Sequence, residues 1–325
     1  MARPSPEWLI ERGVGEDRAM LIDGDEVVAA KIHWPGELYA GQLAKGVLVS
    51  KASGANRGTA RLDNGAELLV SRLPRDVTEG ATVTFQVTRA AIAERGRFKM
   101  AQGRCVRPAE MDKAIAQDAG PLPQGKEVTR FPSGLWEEVW FAASEAALPF
   151  TGGQLVIDAV PAMTLIDIDC SWPEEAYHNA IPTIARGLRW FDIGGNIGID
   201  FPTIVDKRDR KAYDARLAEC LDGWSHESTA MNGFGFVQLV ARLNGPSLLH
   251  RFATSRTATC ARAAMRAAER VEGAGETLLI VNPAIKSKIK PEWLDELRRR
   301  TGREVRIEVD PGLALEAPHA QIVSL

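Results

Sequence analysis

Two short stretches carry the residues best suited to chemistry: Thr164-Leu165-Ile166-Asp167-Ile168-Asp169 and Gly194-Gly195-Asn196-Ile197-Gly198-Ile199-Asp200-Phe201. Each reads as a strand with acidic residues at its end. Alternate side chains of a strand share a face. Asp167 and Asp169 therefore project one way, and Ile166 and Ile168 the other. Asn196 and Asp200 share a face opposite Ile197, Ile199 and Phe201. The apolar faces suit a core, and the carboxylates are left where loops and ligands meet. Two or three carboxylates converging from neighbouring strands make an all-oxygen site for Mg²⁺ or Mn²⁺, the hard cations that handle phosphates. Spacing alone also describes ordinary solvated aspartates at turns, so the wider sequence has to decide.

The elements that must position these residues are legible in outline. Residues 17–34 alternate and turn as a β-hairpin about Asp23-Gly24-Asp25. Residues 37–90 read as short strands separated by Gly, Asn and Pro turns, which suits a small barrel such as the OB-fold. Residues 108–126 are rich in Pro, Gly and Asp and read as a link. Trp136 to Leu148 has helical spacing. Tyr177, Ile181, Ile184, Leu188 and Phe191 form a helical stripe for core packing, with Pro182 expected to bend the helix. Arg186 and Arg189 lie off that stripe and are free for phosphate or for a surface ion pair. Residues 253–270 read as a helix, followed by a strand at 277–281, a helix at 291–301 and a strand at 304–309.

With 325 residues, 45% apolar and 26% charged, the chain is expected to fold as two or three modest soluble domains. No apolar run approaches the ~18 residues that span a bilayer. Residues 1–7 lack the apolar core of a signal peptide, so a cytoplasmic protein without a membrane partner is expected. Cys105, Cys170, Cys220 and Cys260 lie far apart, and the five histidines are scattered, which supports neither a disulfide framework nor structural zinc. The net charge of −3 favours no partner class. Local charge says more. Arg89, Arg95, Arg97, Lys99, Arg104 and Arg107 accompany a single acid, Glu94, and residues 286–306 are also basic. Such patches attract phosphate backbones, or form ordinary solvated faces.

The run from Phe150 to Leu249 resembles the catalytic region of the ribonuclease E/G family. The matching motifs are Gly152-Gly153-Gln154-Leu155-Val156-Ile157-Asp158, Ala162 through Asp169, Ile184-Ala185-Arg186-Gly187-Leu188-Arg189, Asp192-Ile193-Gly194-Gly195 and Ile199-Asp200-Phe201. Phe234-Gly235 and Pro246-Ser247-Leu248 follow in order. The resemblance implies a Mg²⁺-dependent endoribonuclease that cuts single-stranded, A/U-rich RNA and leaves 5′-phosphate and 3′-hydroxyl ends. It makes Asp167 and Asp200 the metal-binding pair. Asp169 stands where the family usually has Asn and is expected to join them in the metal shell.

Other positions depart from the family pattern. Residues 108–135 are too few for the family's 5′-monophosphate-sensing segment, so indifference to the 5′ end is expected. The family's Cys-Pro-x-Cys zinc link is represented only by Cys260, with Ala263 in the second place, and no zinc is expected. Thr203 replaces a second Asp. Arg61 stands where the family often has Phe, and Phe85 is the barrel's exceptional aromatic, which implies a more electrostatic grip on RNA.

The expected fold class is α+β. Residues 1–35 form an N-terminal β segment that the resemblance makes an RNase H-like remnant. Residues 36–107 form an OB-like RNA-binding subdomain, and 108–135 a linker. Residues 136–252 form a DNase I-like α/β catalytic domain, and 253–325 a small α/β domain. RNA contacts are expected from Arg186, Arg189, Arg242, Arg61, Arg95, Arg97 and Lys99, and a homodimer is possible. The rival readings are an RNA-binding protein of the same family without turnover, and a Mg²⁺ phosphodiesterase acting on DNA or a small nucleotide.

Overall fold

The structure, a computed structural model, describes residues 5–324. It is a mixed α+β fold that contains a closed five-stranded β-barrel. The chain opens with β1 (Glu7–Arg12), β2 (Asp17–Asp23) and β3 (Glu26–His33). The β2–β3 pair is the hairpin that the sequence predicts. The barrel is built from β4 (Leu43–Lys51), β5 (Gly58–Leu62), β6 (Glu67–Ser71) and β7 (Thr82–Arg89). A small hairpin, β8 (Ile92–Glu94) and β9 (Arg97–Lys99), leads to β10 (Ala101–Cys105), which closes the barrel between β6 and β7. Phe85 is fully buried inside the barrel with Leu48 and Leu68, so this ring packs the core and offers no face to a base.

The stretch predicted as a link contains a short helix, α1 (Met111–Ala116), whose Ala114 is fully buried. Next comes β11 (Lys126–Glu127), which pairs in parallel with β1. Helix α2 (Leu135–Glu145) stops earlier than its spacing predicts. Ala146 takes a left-handed conformation and closes the helix, and Leu148 continues into a strand, β12 (Ala147–Phe150). The main sheet adds β13 (Gly153–Ala159), β14 (Thr164–Cys170), β15 (Gly195–Asp200), β16 (His226–Ser228) and β17 (Phe236–Ala241), in the order β12-β13-β14-β15-β17-β16.

Between β14 and β15 the chain coils through α3 (Pro173–Glu175), a π-helical turn at Ala176–Ala180, and α4 (Ile181–Trp190). Pro182 follows directly on the π-helical turn in a continuous helical path, and that widened turn accommodates its ring and missing N–H. Helix α5 (Lys207–Cys220) follows β15. Helix α6 runs from Leu248 to Arg270, capped by Ser247 and kinked at Ser255, and so crosses position 252 without a break. A three-stranded sheet ends the fold: β18 (Glu276–Val281), β19 (Val305–Val309) and β20 (His319–Val323), with α7 (Pro283–Lys286) and α8 (Pro291–Thr301) between β18 and β19.

One core joins the underside of the main sheet to α2, α4 and α6. Ile166, Ile168, Ile197 and Ile199 pack there with Ile184, Leu188, Ala261 and Ala264. Truncating any of these isoleucines to alanine costs about 2–5 kcal/mol. No described helix is long and apolar enough to cross a membrane.

Candidate active site

Strand β14 alternates strictly. Thr164, Ile166 and Ile168 are buried, whereas Leu165, Asp167 and Asp169 are exposed. In β15, Ile197 and Ile199 face inward and Asn196 and Asp200 outward. The two strands are parallel, and Asp167 is the register partner of Asp200. Adjacent strands lie about 4.8 Å apart, so the two carboxylates stand side by side. The same row continues to Val156 on β13 and Phe236 on β17. A one-residue slip would turn the isoleucines out and the aspartates in, which is why the core fixes this register.

The carboxylate face is open, and Val156, Leu165 and Val240 are exposed on it. Gly198 permits a close approach. A Cβ there would come 2.5 Å from Cζ of Phe236 and 3.0 Å from Cδ2 of Leu165. Its absence lets the Phe236 ring lie beside Asp200 as an apolar flank. Sequence reasoning passed over Phe236 and Gly198, although a glycine inside an alternating strand signals such an approach.

Among the described residues, neither Asp167 nor Asp200 has a hydrogen-bond or ion-pair partner. Asp169 accepts a hydrogen bond from Nε2 of Gln154 at 3.4 Å. No three His, Cys, Asp or Glu side chains among the described residues gather closely enough to hold a metal ion. The donor set is thus a pair of adjacent carboxylates, which repel one another unless a cation compensates them. Mg²⁺ is commonly held by one or two carboxylates while keeping waters and taking up phosphate oxygens, so the pair fits that ion. Zinc does not fit: Cys260 lies inside the core, and burial pushes its thiol up to about 12, away from the thiolate that zinc requires.

The expected RNA-contacting cations are dispersed. Helix α4 packs on the sheet face opposite the aspartates, which puts Arg186 and Arg189 behind the site. Arg186 stacks on Trp190, 4.9 Å from the ring centre. Arg189 donates to the carbonyls of Ala185, Cys220 and Asp222 and acts as a helix-end clamp. Arg242 is exposed at the start of β15, on the order of 15 Å along the strand from Asp200. There it lines a cleft of about 660 Å³ with Lys31, Arg72 and Arg104.

On the barrel, Arg61 is exposed and pairs loosely with Glu67 across the strands, at 3.7 Å. Arg97 and Lys99 both bind the buried carboxylate of Glu94 and the carbonyl of Pro161 at the β13–β14 turn. Burial alone would raise the Glu94 carboxyl, but the two cations overcome it and hold the group below its usual range. Both cations therefore fasten the β8–β9 hairpin to the main sheet. Arg95 is exposed at the hairpin turn.

Residues 141–242 match the Ribonuclease E/G family. This segment contains Asp167, Asp169 and Asp200. Ribonuclease E of Escherichia coli K12 is 34% identical over 116 residues, which is 32% of this chain and 11% of that protein. Ribonuclease G of Salmonella typhimurium SL1344 is 27% identical over 191 residues, covering 50% of this chain and 39% of the relative. Ribonuclease G of Escherichia coli K12 is 26% identical over the same length and shares. The chain is therefore partly homologous to ribonucleases E and G, and its matches span well under half the length of each.

Proposed function

We propose that this protein is a metal-dependent endoribonuclease that hydrolyses phosphodiester bonds in single-stranded, A/U-rich RNA in the cytoplasm, leaving 5′-phosphate and 3′-hydroxyl ends. The observation that carries this reading is the pairing of Asp167 with Asp200 in register, without a hydrogen-bond or ion-pair partner among the described residues and on an open sheet face, inside the segment that matches the Ribonuclease E/G family. Asp167 and Asp200 would hold Mg²⁺, or Mn²⁺ in its place. When bound, the ion lowers the pKa of a coordinated water and neutralises charge on the phosphate.

The chain's own groups do the rest. The buried isoleucines fix the spacing of the carboxylates. Phe236 and Leu165 present apolar surface to the nucleoside beside the scissile phosphate. Asp169, steered by Gln154, adds negative charge that favours a cation over the pair. Arg61 and Arg95 supply diffuse attraction for the strand from the barrel side.

The test is cleavage of a labelled A/U-rich oligonucleotide with and without Mg²⁺. Asp167→Asn and Asp200→Asn are each expected to lower the rate by about 10³-fold, roughly 4 kcal/mol in the barrier, with RNA affinity nearly intact. Full activity in either variant refutes the assignment. RNA binding by the parent protein without Mg²⁺-dependent cleavage would favour the non-catalytic reading.

A further inference from the structure

Three large apolar side chains are exposed at one end of the main sheet: Trp172 (66% exposed), Val205 (88%) and Phe234 (84%). Trp172 comes two residues after β14, Val205 lies in the segment that leaves β15, and Phe234 comes two residues before β17. Asp200 ends β15 and is paired with Phe236, the first residue of β17. Asp169 is next to last in β14. The exposed residues therefore flank the end of the sheet that carries the carboxylates.

Their exposure is built into ordered backbone. Oδ1 of Asn232 accepts the N–H groups of Phe234 and Phe236 at 2.9 and 3.1 Å. Gly235, at φ +91°, seats the turn so closely on the Phe201 carbonyl that a Cβ would lie 2.5 Å from its oxygen. The Trp172 carbonyl accepts the N–H groups of Glu175 and Ala176 and so starts the following helix. Nη1 of Arg210 donates to the carbonyls of Ile204 and Val205 at 2.7 Å and fixes the third segment. Holding aromatic side chains in water on rigid turns has no packing rationale, because both lose the burial that would stabilise them.

The adjoining cations suit a nucleic-acid occupant, with Asp206 and Asp209 interleaved among them. Helix α5 begins immediately after this segment, and its Lys207, Arg208 and Lys211 are exposed and have no ion pair among the described residues. Aromatic faces beside free cations form the arrangement that grips single-stranded nucleic acid, the rings stacking bases and the cations tracking phosphates. The cations also offset the repulsion between the carboxylates and the RNA backbone.

We infer that Trp172 and Phe234 stack bases of the single strand next to the cleaved bond, while Lys207, Arg208 and Lys211 neutralise the phosphates leading away from it. This subsite rests on the assignment of the Asp167–Asp200 face as the RNA-cleaving site.

The experiment measures binding of a fluorescent A/U-rich 12-nucleotide RNA in chelator, so that no cleavage occurs, together with Mg²⁺-dependent cleavage of the same RNA. Trp172→Ala and Phe234→Ala are expected to weaken binding at least roughly fivefold each, with Trp172→Phe recovering most of the loss. Phe141→Ala, an exposed aromatic on α2, leaves binding unchanged. Replacing Lys207, Arg208 and Lys211 together by Gln lowers the slope of log Kd against log salt by about 2.

Parent-like affinity in both aromatic variants, in a protein that binds and cleaves RNA, overturns this inference alone and leaves the exposed rings for a protein partner. A parent protein that neither binds nor cleaves RNA overturns the proposed function and this subsite together.

Discussion

The protein holds two clusters of charge that are opposites in construction. Between β1, β2 and α6, Glu11, Glu16 and Arg18 are almost wholly buried, and each is matched. Arg18 pairs with Glu11 and Glu16, Arg266 with Glu16, and Arg270 with Glu11 and Glu137. The second carboxylate oxygen of Glu11 accepts the Phe131 N–H at 3.0 Å. Arg18 also lies over Trp136 at 4.9 Å, and burial, with Arg266 next in effect, lowers its pKa to about 10. On the main sheet, by contrast, Asp167 and Asp200 stand together on an exposed face, with no ion-pair partner among the described residues. Carboxylates thus play opposite parts in the two places. Where the chain supplies its own counterions, charge fastens elements together. Where it withholds them, the proposed function has the counterion come from outside.

The comparison breaks most visibly if the buried cluster proves dispensable. Glu16→Gln leaves Arg18 and Arg266 short of a partner in the interior, and a loss of about 3–5 kcal/mol in unfolding free energy is expected from urea titration. RNA cleavage per folded molecule stays at the parent level, because the cluster lies away from the aspartates. A loss below 1 kcal/mol would mean that water reaches the cluster and that the two regions are not opposites.

A smaller effect sharpens the contrast through pH. His250, in the first turn of α6, is buried and hydrogen-bonded to Ser247, and burial holds its pKa below the usual 6.5 or so. The unfolded chain therefore takes up the proton first as pH falls. The contribution of His250 is complete above about pH 6.5 and declines below it, by up to about 1.4 kcal/mol per pH unit until the folded-state pKa is reached. His33 is shifted the same way, again chiefly by burial. The urea midpoint is expected to fall between pH 7.5 and 5.5, and His250→Gln should flatten that fall. A midpoint independent of pH over this range would remove the buried histidines from the account.

The smallest effect belongs to Asp169, which sits on the open face but is engaged by Gln154. Asp169→Asn is expected to raise the Mg²⁺ concentration for half-maximal cleavage by roughly threefold, a field effect of under 1 kcal/mol at an exposed site. A shift of a hundredfold would place Asp169 in the metal shell as a direct ligand.

Much of the site was legible because a strand's period of two is stamped on the sequence. Ile166-Asp167-Ile168-Asp169 announces its two faces, and so does Asn196 through Asp200. The stripe from Tyr177 to Phe191 declares the helix behind the sheet in the same way. Partnership was not legible. Nothing local says that Asp167 faces Asp200 in register, since that depends on how two strands separated by a helix come together. Nor does a basic residue's type reveal its partner: Arg97 and Lys99 are drawn to Glu94 and Pro161, and Arg189 to one carbonyl of its own helix and two at the end of α5. The side that Phe85 takes was not legible for a related reason, because an aromatic on a barrel strand serves the core or the surface according to which face it takes. The end of α2 turned on a left-handed Ala146, a conformation that alanine does not advertise.

The central claim is that Asp167 and Asp200 are left without partners in order to take up an external cation, and Mn²⁺ binding to the RNA-free protein tests it most directly. Free Mn²⁺ is followed by its paramagnetic resonance signal as protein is added at neutral pH. The account predicts one saturable site per chain, lost in Asp167→Asn and in Asp200→Asn, with both variants as stable to urea as the parent within about 0.5 kcal/mol. Equal Mn²⁺ uptake by the parent and both variants, or no saturable uptake by the parent, would contradict it.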